Sequence, residues 1–171
     1  MEEFVIRRAA RQDLKALMSL KQAYTLQTYK GFASTETLNN IPKDQWGQVF
    51  EDWLANPHIQ LDVLWVREKL CAFSAYRLKE EQETPDLPEG EILALEVLMG
   101  TSPLYADALV TDTLAGLARM GVKRVRVWVL RDNFRSRFEY ERYGFKADGE
   151  TKEELFGGQL ARWTRYVYRM P

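Results

Sequence analysis

The strongest constraint on the fold is the stretch from Glu91 to Leu130, whose pattern changes from strand to helix and back to strand. Its first segment, Glu91 to Met99, is apolar at almost every position, which is typical of a central strand covered on both faces. Its last segment alternates Val125, Val127 and Val129 with larger side chains, which predicts a second strand. A helix that connects two strands of one sheet forms a crossover, so we expect these two strands to be parallel.

The helix between these strands has recognisable ends. Ser102 is a candidate N-cap, and Pro103 suits the first helical position, where a backbone N–H group would have no partner inside the helix. Gly121 is expected to end the helix, because glycine readily adopts the left-handed conformation that follows a last helical turn.

The rest of the chain adds strands and helices on both sides of this unit. Strands are predicted at Phe4–Arg8, Leu61–Val66, Leu70–Leu78 and Leu160–Met170, with an extra strand between Glu150 and Gly157, and helices are predicted from Asp13, over Lys43–Leu54 and after Asn133. No period can be read over Thr25–Ile41. The chain, 1–171, is therefore predicted to form a single α/β domain with a mixed sheet flanked by about four helices.

Composition excludes several classes of protein. Cys71 and His58 are the only cysteine and histidine, which excludes a disulfide scaffold and a Cys/His zinc site, and we expect no metal. A formal charge of −1 removes the electrostatic basis for broad nucleic-acid or membrane-surface binding. The first residues contain no signal-peptide core, and no stretch approaches the roughly 20 apolar residues of a membrane span. A cytoplasmic protein is therefore expected.

One segment after the second strand carries a specific resemblance. It has an asparagine, a small residue three positions later, a tyrosine seven positions later and a Gly-Phe pair at eleven and twelve, here Asn133, Ser136, Tyr140, Gly144 and Phe145. This spacing resembles the last motif of the GNAT superfamily of acetyl-CoA-dependent N-acetyltransferases. Weaker similarities follow the family's order, at Ile6–Leu14 for the first strand and helix, Glu91–Val97 for the fourth strand and Tyr166–Met170 for the closing strand.

The resemblance implies both a fold and a reaction. The fold would be a GNAT-like one, with a mixed, mostly antiparallel sheet and a parallel strand pair that splays to admit acetyl-CoA. The reaction would be transfer of the acetyl group to a primary amine of a small molecule or peptide, by direct attack in a ternary complex. The resemblance also implies a homodimer.

Tyr140 lies at the family's position for the general acid beside the cofactor sulfur. A phenol of ordinary pKa is protonated at neutral pH, so it can donate a proton to a departing thiolate. The alternative interpretation is that Tyr140 simply packs its helix against the sheet.

Two glutamates are candidates for the general base. The resemblance implies that Glu91 activates the amine through water, although Glu91 could instead be a solvated strand start. Glu96 is the second candidate for the base, or a residue that contacts the substrate amine, because a carboxylate inside a buried strand must be paired or have a raised pKa. The two lie five positions apart, so regular pleating predicts that they face opposite sides of the sheet.

The resemblance implies cofactor contacts from the strand end, the following turn and the later helix, at Val97, Leu98, Met99, Thr101, Ser102, Leu104, Tyr105, Ala106, Asn133, Ser136 and Tyr140. The turn departs from the family's pyrophosphate loop, Gln/Arg-x-x-Gly-x-Gly/Ala. Thr101 stands in place of the basic or amide residue, Leu104 in place of the first glycine, and Ala106 alone fits. Pro103 also removes one N–H donor. An alternative function is therefore a catalytically inactive GNAT-fold binding or regulatory module that has lost or changed its acyl-CoA ligand.

Two further groups of residues have two interpretations each. Arginines are frequent near the motif, at Arg124, Arg126, Arg131, Arg135, Arg137 and Arg142. They could bind the cofactor phosphates, but a solvated surface with helix ion pairs is favoured. Trp46 and Trp53 share a helix face and could touch the substrate, although a core position is favoured for each.

Overall fold

The computed structural model describes residues 3–31, 33–41, 43–156 and 158–171. Within these ranges one sheet is formed by β1 (Phe4–Arg8), β2 (Gln60–Val66), β3 (Lys69–Leu78), β4 (Glu89–Val97), β5 (Arg124–Leu130), β6 (Lys146–Phe156) and β7 (Gln159–Arg169). The helices are α1 (Leu14–Tyr29), α2 (Thr35–Asn39), α3 (Lys43–Ala55), α4 (Pro103–Arg119) and α5 (Phe134–Arg142), with a 3₁₀ turn at Arg11–Asp13.

The predicted architecture is confirmed in its main features. The strand order is β1-β2-β3-β4-β5-β7-β6, and every neighbouring pair is antiparallel except β4 and β5, which are parallel and joined by the crossover helix α4. One helix more than predicted is present in the described part of the chain, because α2 lies inside the stretch with no readable period. The extra strand predicted up to Gly157 corresponds to β6, which ends at Phe156; Gly157 lies outside the described residues.

The two faces of the sheet carry different helices. On one face, the buried side chains of α1 and α3 pack against the centre of β3, with Leu17, Phe50 and Phe73 in one apolar cluster. On the other face, α4 packs through Leu117 and α5 through Tyr140, in a cluster with the valines of β5. None of the helices in the described ranges is long and apolar enough to cross a membrane.

The two parallel strands separate before either ends. Their register begins at Glu89 opposite Arg124 and stops at Ile92 opposite Val127. However, β4 continues to Val97 and β5 to Leu130. Beyond this point, the facing backbone groups of β4 and β5 do not pair with each other, and a gap lies between the two strands. The splayed parallel pair predicted from the resemblance is therefore present.

A β-bulge lies on β4 at the same level. Ala94 pairs with Ala75 and Ile92 with Tyr76, so Leu93 is an extra residue with no partner on β3. The bulge shifts the alternation by one position. Glu96 lies opposite Phe73 and Glu91 opposite Arg77, and these two β3 residues share a face. The prediction that the two glutamates face opposite sides was wrong, because it assumed regular pleating.

Candidate active site

Two cavities meet where β4 and β5 separate. The first, of about 160 Å³, lies between the start of α4 and the side of α5. The second, of about 370 Å³, lies on the other face of the sheet and is lined by α1, α3 and the ends of β4, β5 and β7. Both cavities are lined by Tyr24, Leu95, Ser136 and Tyr140. These four residues, called the junction below, mark the place where a group bound on one face can reach a group bound on the other.

The start of α4 forms one wall of the first cavity. Gly100 turns the chain out of β4 with a φ of 80°, a conformation that glycine adopts without strain. Ser102 then caps the helix by accepting a hydrogen bond from the Leu104 N–H group at 3.3 Å. A helix N-terminus attracts anions through its exposed N–H groups and its dipole. This wall therefore suits a phosphate even though the loop lacks the family's glycine pattern and basic residue.

The opposite wall supplies the positive charge. Arg142 is held by Asp107 at 2.8 Å and by Glu139 at 3.0 Å, which leaves it little freedom. Arg135 also lines the cavity, is exposed, and makes no hydrogen bond or ion pair with any residue in the described ranges. Arg135 can therefore turn toward an anion at the start of α4.

The edge of β4 offers hydrogen-bond donors to the gap. The Leu98 N–H group donates to the Cys71 carbonyl on β3 at 3.0 Å. Main-chain groups alternate in direction along a strand, so the N–H groups of Leu95 and Val97 point away from β3 and toward the space left by β5. Buried N–H groups are nearly always satisfied, so an extended ligand in the gap would complete the edge of β4.

Two tyrosines converge at the junction from different helices. The Tyr24 hydroxyl of α1 lies 3.4 Å from the Ser136 hydroxyl of α5. Burial raises the pKa of Tyr24, and the nearby Glu96 carboxylate raises this pKa further. Tyr140 is 8% exposed, and burial raises its pKa well above the ordinary value, with smaller contributions from Tyr24 and Glu96. Both phenols therefore stay protonated at neutral pH and can donate a proton.

Glu96 lies on the wall of the second cavity, next to the junction. It is 6% exposed, and Lys21 of α1 forms an ion pair with its Oε1. Its Oε2 is buried and accepts no hydrogen bond from the described residues. Burial raises the pKa of Glu96, while the Lys21 cation opposes this by favouring the ionised form. A carboxyl group with a raised pKa and a spare acceptor oxygen can take a proton from a donor placed beside it.

The remainder of the second cavity is mainly aromatic. Rings from α3, β5 and the β6–β7 hairpin line it, at Trp46, Phe50, Trp53, Trp128, Phe156 and Trp163. Phe50 packs edge-on against Trp53, with ring centroids 5.7 Å apart, which fixes part of this wall. Trp46 and Trp53, for which a core position was favoured, both reach the cavity.

The structure brings most of the predicted site residues together. Among the residues proposed to contact the cofactor, those that line the first cavity are Val97, Thr101, Ser102, Ala106, Ser136 and Tyr140. Asn133 lines the second cavity instead, and caps α5 by accepting a hydrogen bond from the Ser136 N–H group at 3.2 Å. Glu96 lines the second cavity as well.

Four of the predicted cofactor residues line neither cavity, and their contact with the cofactor stays a prediction. Leu98 is buried in the core on the α1 face, and Leu104 is exposed at the start of α4. The Met99 N–H group donates a hydrogen bond to the Gln27 Oε1 atom at 3.1 Å. Tyr105 packs edge-on against Phe4 of β1, with ring centroids 5.5 Å apart. Leu104 and Tyr105 belong to α4, and helical periodicity directs their side chains away from the cavity that Ala106 lines.

Glu91 also lies outside both cavities in the described structure. It forms an ion pair with Arg77 of the neighbouring strand at 2.6 Å. The arginines near the motif fall into two groups. Arg124 and Arg126 pair with the buried Glu89, whereas Arg135 and Arg142 line the first cavity. No group of three or more His, Cys, Asp or Glu side chains among the described residues is arranged to hold a metal ion.

Tyr24 and Lys21 are site residues that the sequence did not predict. Both lie in α1, where Tyr24 fits the apolar stripe that packs on the sheet and Lys21 is a lysine next to that stripe. Neither has a local signal, because their partners Ser136 and Glu96 are distant in the chain.

Solved structures of known proteins resemble this chain in fold. No protein-family model and no curated protein sequence matches the chain. Among solved structures, it is similar to the PaiA N-acetyltransferase of Thermoplasma acidophilum in complex with coenzyme A, with a TM-score of 0.78, 17% identity, and coverage of 97% of this chain and 99% of that one. It is also similar to NAA60 of Arabidopsis thaliana in complex with a bisubstrate analogue, with a TM-score of 0.71, 18% identity, and coverage of 98% of each chain.

A third similar structure is the acetyltransferase of the GNAT family from Streptococcus pneumoniae. Its TM-score is 0.66 at 13% identity, and the match covers 98% of this chain and 100% of that chain. At identities this low, structural similarity establishes the fold, and the activity has to be inferred from the site. The chain therefore has the fold of the GNAT acetyltransferases.

Proposed function

We propose that this protein is an N-acetyltransferase that transfers the acetyl group of acetyl-CoA to a primary amine in a ternary complex. The observation that carries the proposal is the meeting of two cavities at the gap between β4 and β5. Each substrate would enter from its own face of the sheet, and the reacting atoms would meet beside Tyr24 and Tyr140.

The first cavity and the gap fit the elongated shape of a coenzyme A arm. The N–H groups of Leu95 and Val97 would bind the amide groups of the arm as an added strand would. The start of α4 and the Arg135 guanidinium would bind the pyrophosphate. Acetyl-CoA supplies an activated acetyl thioester; all other functions in the site belong to side chains and main-chain groups of this chain.

The amine would approach from the second cavity. A primary amine is mostly protonated at neutral pH, so it must lose a proton before its nitrogen can attack. Glu96 is the better-placed base because it lines this cavity and has a buried Oε2 with no partner among the described residues. Glu91, which the resemblance favours, is the second candidate; it lies outside both cavities and forms an ion pair with Arg77.

Tyr140 would donate a proton to the sulfur as the thiolate leaves. Its burial at the junction keeps the phenol protonated, and Tyr24 is close enough to share this role. The similar PaiA structure is a complex with coenzyme A and the similar NAA60 structure is a complex with a bisubstrate analogue, which supports coenzyme A as the kind of ligand that this fold binds. The alternative of an inactive module rests on the loop residues Thr101 and Leu104. Against it, the strand gap is open and the Asn133 motif keeps its helix-capping geometry.

Thermal denaturation with and without acetyl-CoA, followed by a thiol-release assay against a library of amines, tests the proposal. A ligand at 100 times its dissociation constant stabilises the folded state by about 2.7 kcal/mol, which gives a measurable rise in Tm. Arg135→Ala should weaken acetyl-CoA binding about tenfold. Arg131→Ala, which changes an exposed arginine paired with Asp132, is the matched control. Absence of both a Tm shift and thiol release with every amine would refute the proposal.

A further inference from the structure

The second cavity contains one pair of opposite charges in an otherwise uncharged lining. Among its described lining residues, Lys21 and Glu96 are the two that carry charge, and they form an ion pair with each other. Lys21 is also 5.9 Å from the centre of the Trp46 ring. The polar part of the cavity is thus a compact dipole beside the junction, and the remainder is aromatic.

This arrangement discriminates between classes of amine. A simple ammonium group that contacts Glu96 is also repelled by the adjacent Lys21, so the pair holds it less strongly than a lone carboxylate would. A polyamine or a polycationic sugar would bring a second positive charge, for which the described lining holds no second carboxylate. A zwitterion is different, because its ammonium group can bind Glu96 while its carboxylate binds Lys21.

We propose that the acceptor is a free α-amino acid with an apolar, preferably aromatic, side chain. Its ammonium and carboxylate groups are separated by one carbon atom, which matches two protein charges in direct contact. Its side chain would pack among the rings of Trp46, Trp53 and Trp163. This inference rests on the proposed acetyltransferase function and specifies its substrate.

The same contact prepares the base. When the substrate carboxylate binds Lys21, the cation no longer holds Glu96 in its ionised form, and the carboxylate becomes a stronger proton acceptor. The nitrogen loses one proton to Glu96 and then forms the new C–N bond. As the C–S bond breaks, its electron pair leaves on sulfur, and the second proton from nitrogen reaches that sulfur by way of the Tyr140 hydroxyl. The products are an N-acetyl amino acid and a free thiol, and Glu96 returns its proton to solvent.

Calorimetric titration of the protein, without acetyl-CoA, tests the ligand class directly. The matched set is L-phenylalanine, L-phenylalaninamide and phenethylamine, which share an aromatic side chain and an amine but differ in the carboxylate; spermidine represents the polyamines. We expect phenylalanine to bind at least about tenfold more tightly than the amide and the amine, because a charge-assisted bond to Lys21 is lost in both.

Variants of one helix provide the control. Lys21→Met should abolish the preference for phenylalanine without weakening phenethylamine binding, whereas Lys15→Met, an exposed lysine of α1, should leave both unchanged. Lys21→Gln, which keeps a donor for Glu96, replaces the methionine variant if that variant does not fold. The inference is overturned if the amide or amine binds as tightly as the acid, if no member of the set binds, or if the Lys21 variants keep the preference.

Thiol release measured on the same compounds separates this inference from the proposed function. Faster turnover of phenethylamine or spermidine than of phenylalanine would overturn the amino-acid assignment while supporting an acetyltransferase. Lys21-dependent binding of phenylalanine, with no thiol released from acetyl-CoA by any amine, would support the ligand class and refute the acetyltransferase.

Discussion

At the scale of single residues, the proposed chemistry depends on the environment of Glu96. Burial alone would favour its protonated form, and the Lys21 cation opposes this by favouring the ionised form. A base must be ionised to accept a proton, so kcat/KM should fall as the pH drops below the raised pKa of this group. As the pH rises above this pKa and the carboxyl becomes ionised, kcat/KM should reach a plateau.

Replacing Glu96 tests this assignment. Glu96→Gln should reduce kcat about 10²-fold or more, the usual contribution of a positioned base, and should remove the acidic limb of the pH–rate profile. Glu91→Gln is the matched variant, since both residues are glutamates on β4 that face the same side of the sheet. A large loss in Glu91→Gln together with a normal rate in Glu96→Gln would transfer the role of base to Glu91.

Tyr140 allows a second test at this scale. Tyr140→Phe keeps the ring that packs edge-on against Phe145, with centroids 5.2 Å apart, and removes only the hydroxyl. We expect kcat to fall about tenfold or more while KM for acetyl-CoA changes little, because proton donation matters only in the transition state. Tyr24→Phe provides the comparison in the same assay. If it has the larger effect, the phenol of α1 is the proton donor.

At the scale of secondary-structure elements, local patterns predicted what local interactions determine. The valine alternation of β5 and the Asn133 cap of α5 both appear as predicted. The bulge at Leu93 could not be predicted, because it arises from pairing with β3 and leaves no mark on the sequence of β4. The contact of Tyr24 with α5 was missed for the same reason, since it joins residues 112 positions apart.

The packing of α4 on β3 makes a prediction about stability. Gly116 faces the Tyr76 ring, and a Cβ added there would overlap the Tyr76 hydroxyl and lie 2.8 Å from its Cζ. That hydroxyl donates a hydrogen bond to the buried Asp62 at 2.9 Å. Alanine would gain up to about 1 kcal/mol in helix propensity. Overpacking and the loss of a buried hydrogen bond each cost about 1–3 kcal/mol.

Gly116→Ala should therefore lower the free energy of unfolding by about 1–5 kcal/mol, measured by denaturant titration. Thr111→Ala, at an exposed position of the same helix, should leave stability unchanged or slightly higher. Equal stability of Gly116→Ala and the unaltered protein would mean that Tyr76 moves aside without losing Asp62.

At the scale of the whole molecule, the sheet separates the two cavities, and the gap between β4 and β5 at the junction connects them. Side chains of β4 beyond the bulge alternate between the two cavities: Leu95 and Val97 face the first, and Glu96 faces the second. One substrate can therefore be held on each side of the sheet while the reacting groups touch through the gap. This geometry predicts direct transfer, without an acetylated form of the protein.

Covalent transfer would require an activated nucleophile at the junction. The single thiol, Cys71, is buried in a separate apolar cluster beneath α4 and borders a different surface depression from the two cavities. The Ser136 hydroxyl lies near Tyr24, whereas the one histidine, His58, is exposed in the turn before β2 and lines neither cavity. Initial rates with both substrates varied should give intersecting lines in double-reciprocal plots, and Cys71→Ala should retain full activity. Parallel lines, or a mass increase of one acetyl group on the protein in the presence of acetyl-CoA alone, would instead require a nucleophile that reaches the gap from elsewhere in the chain.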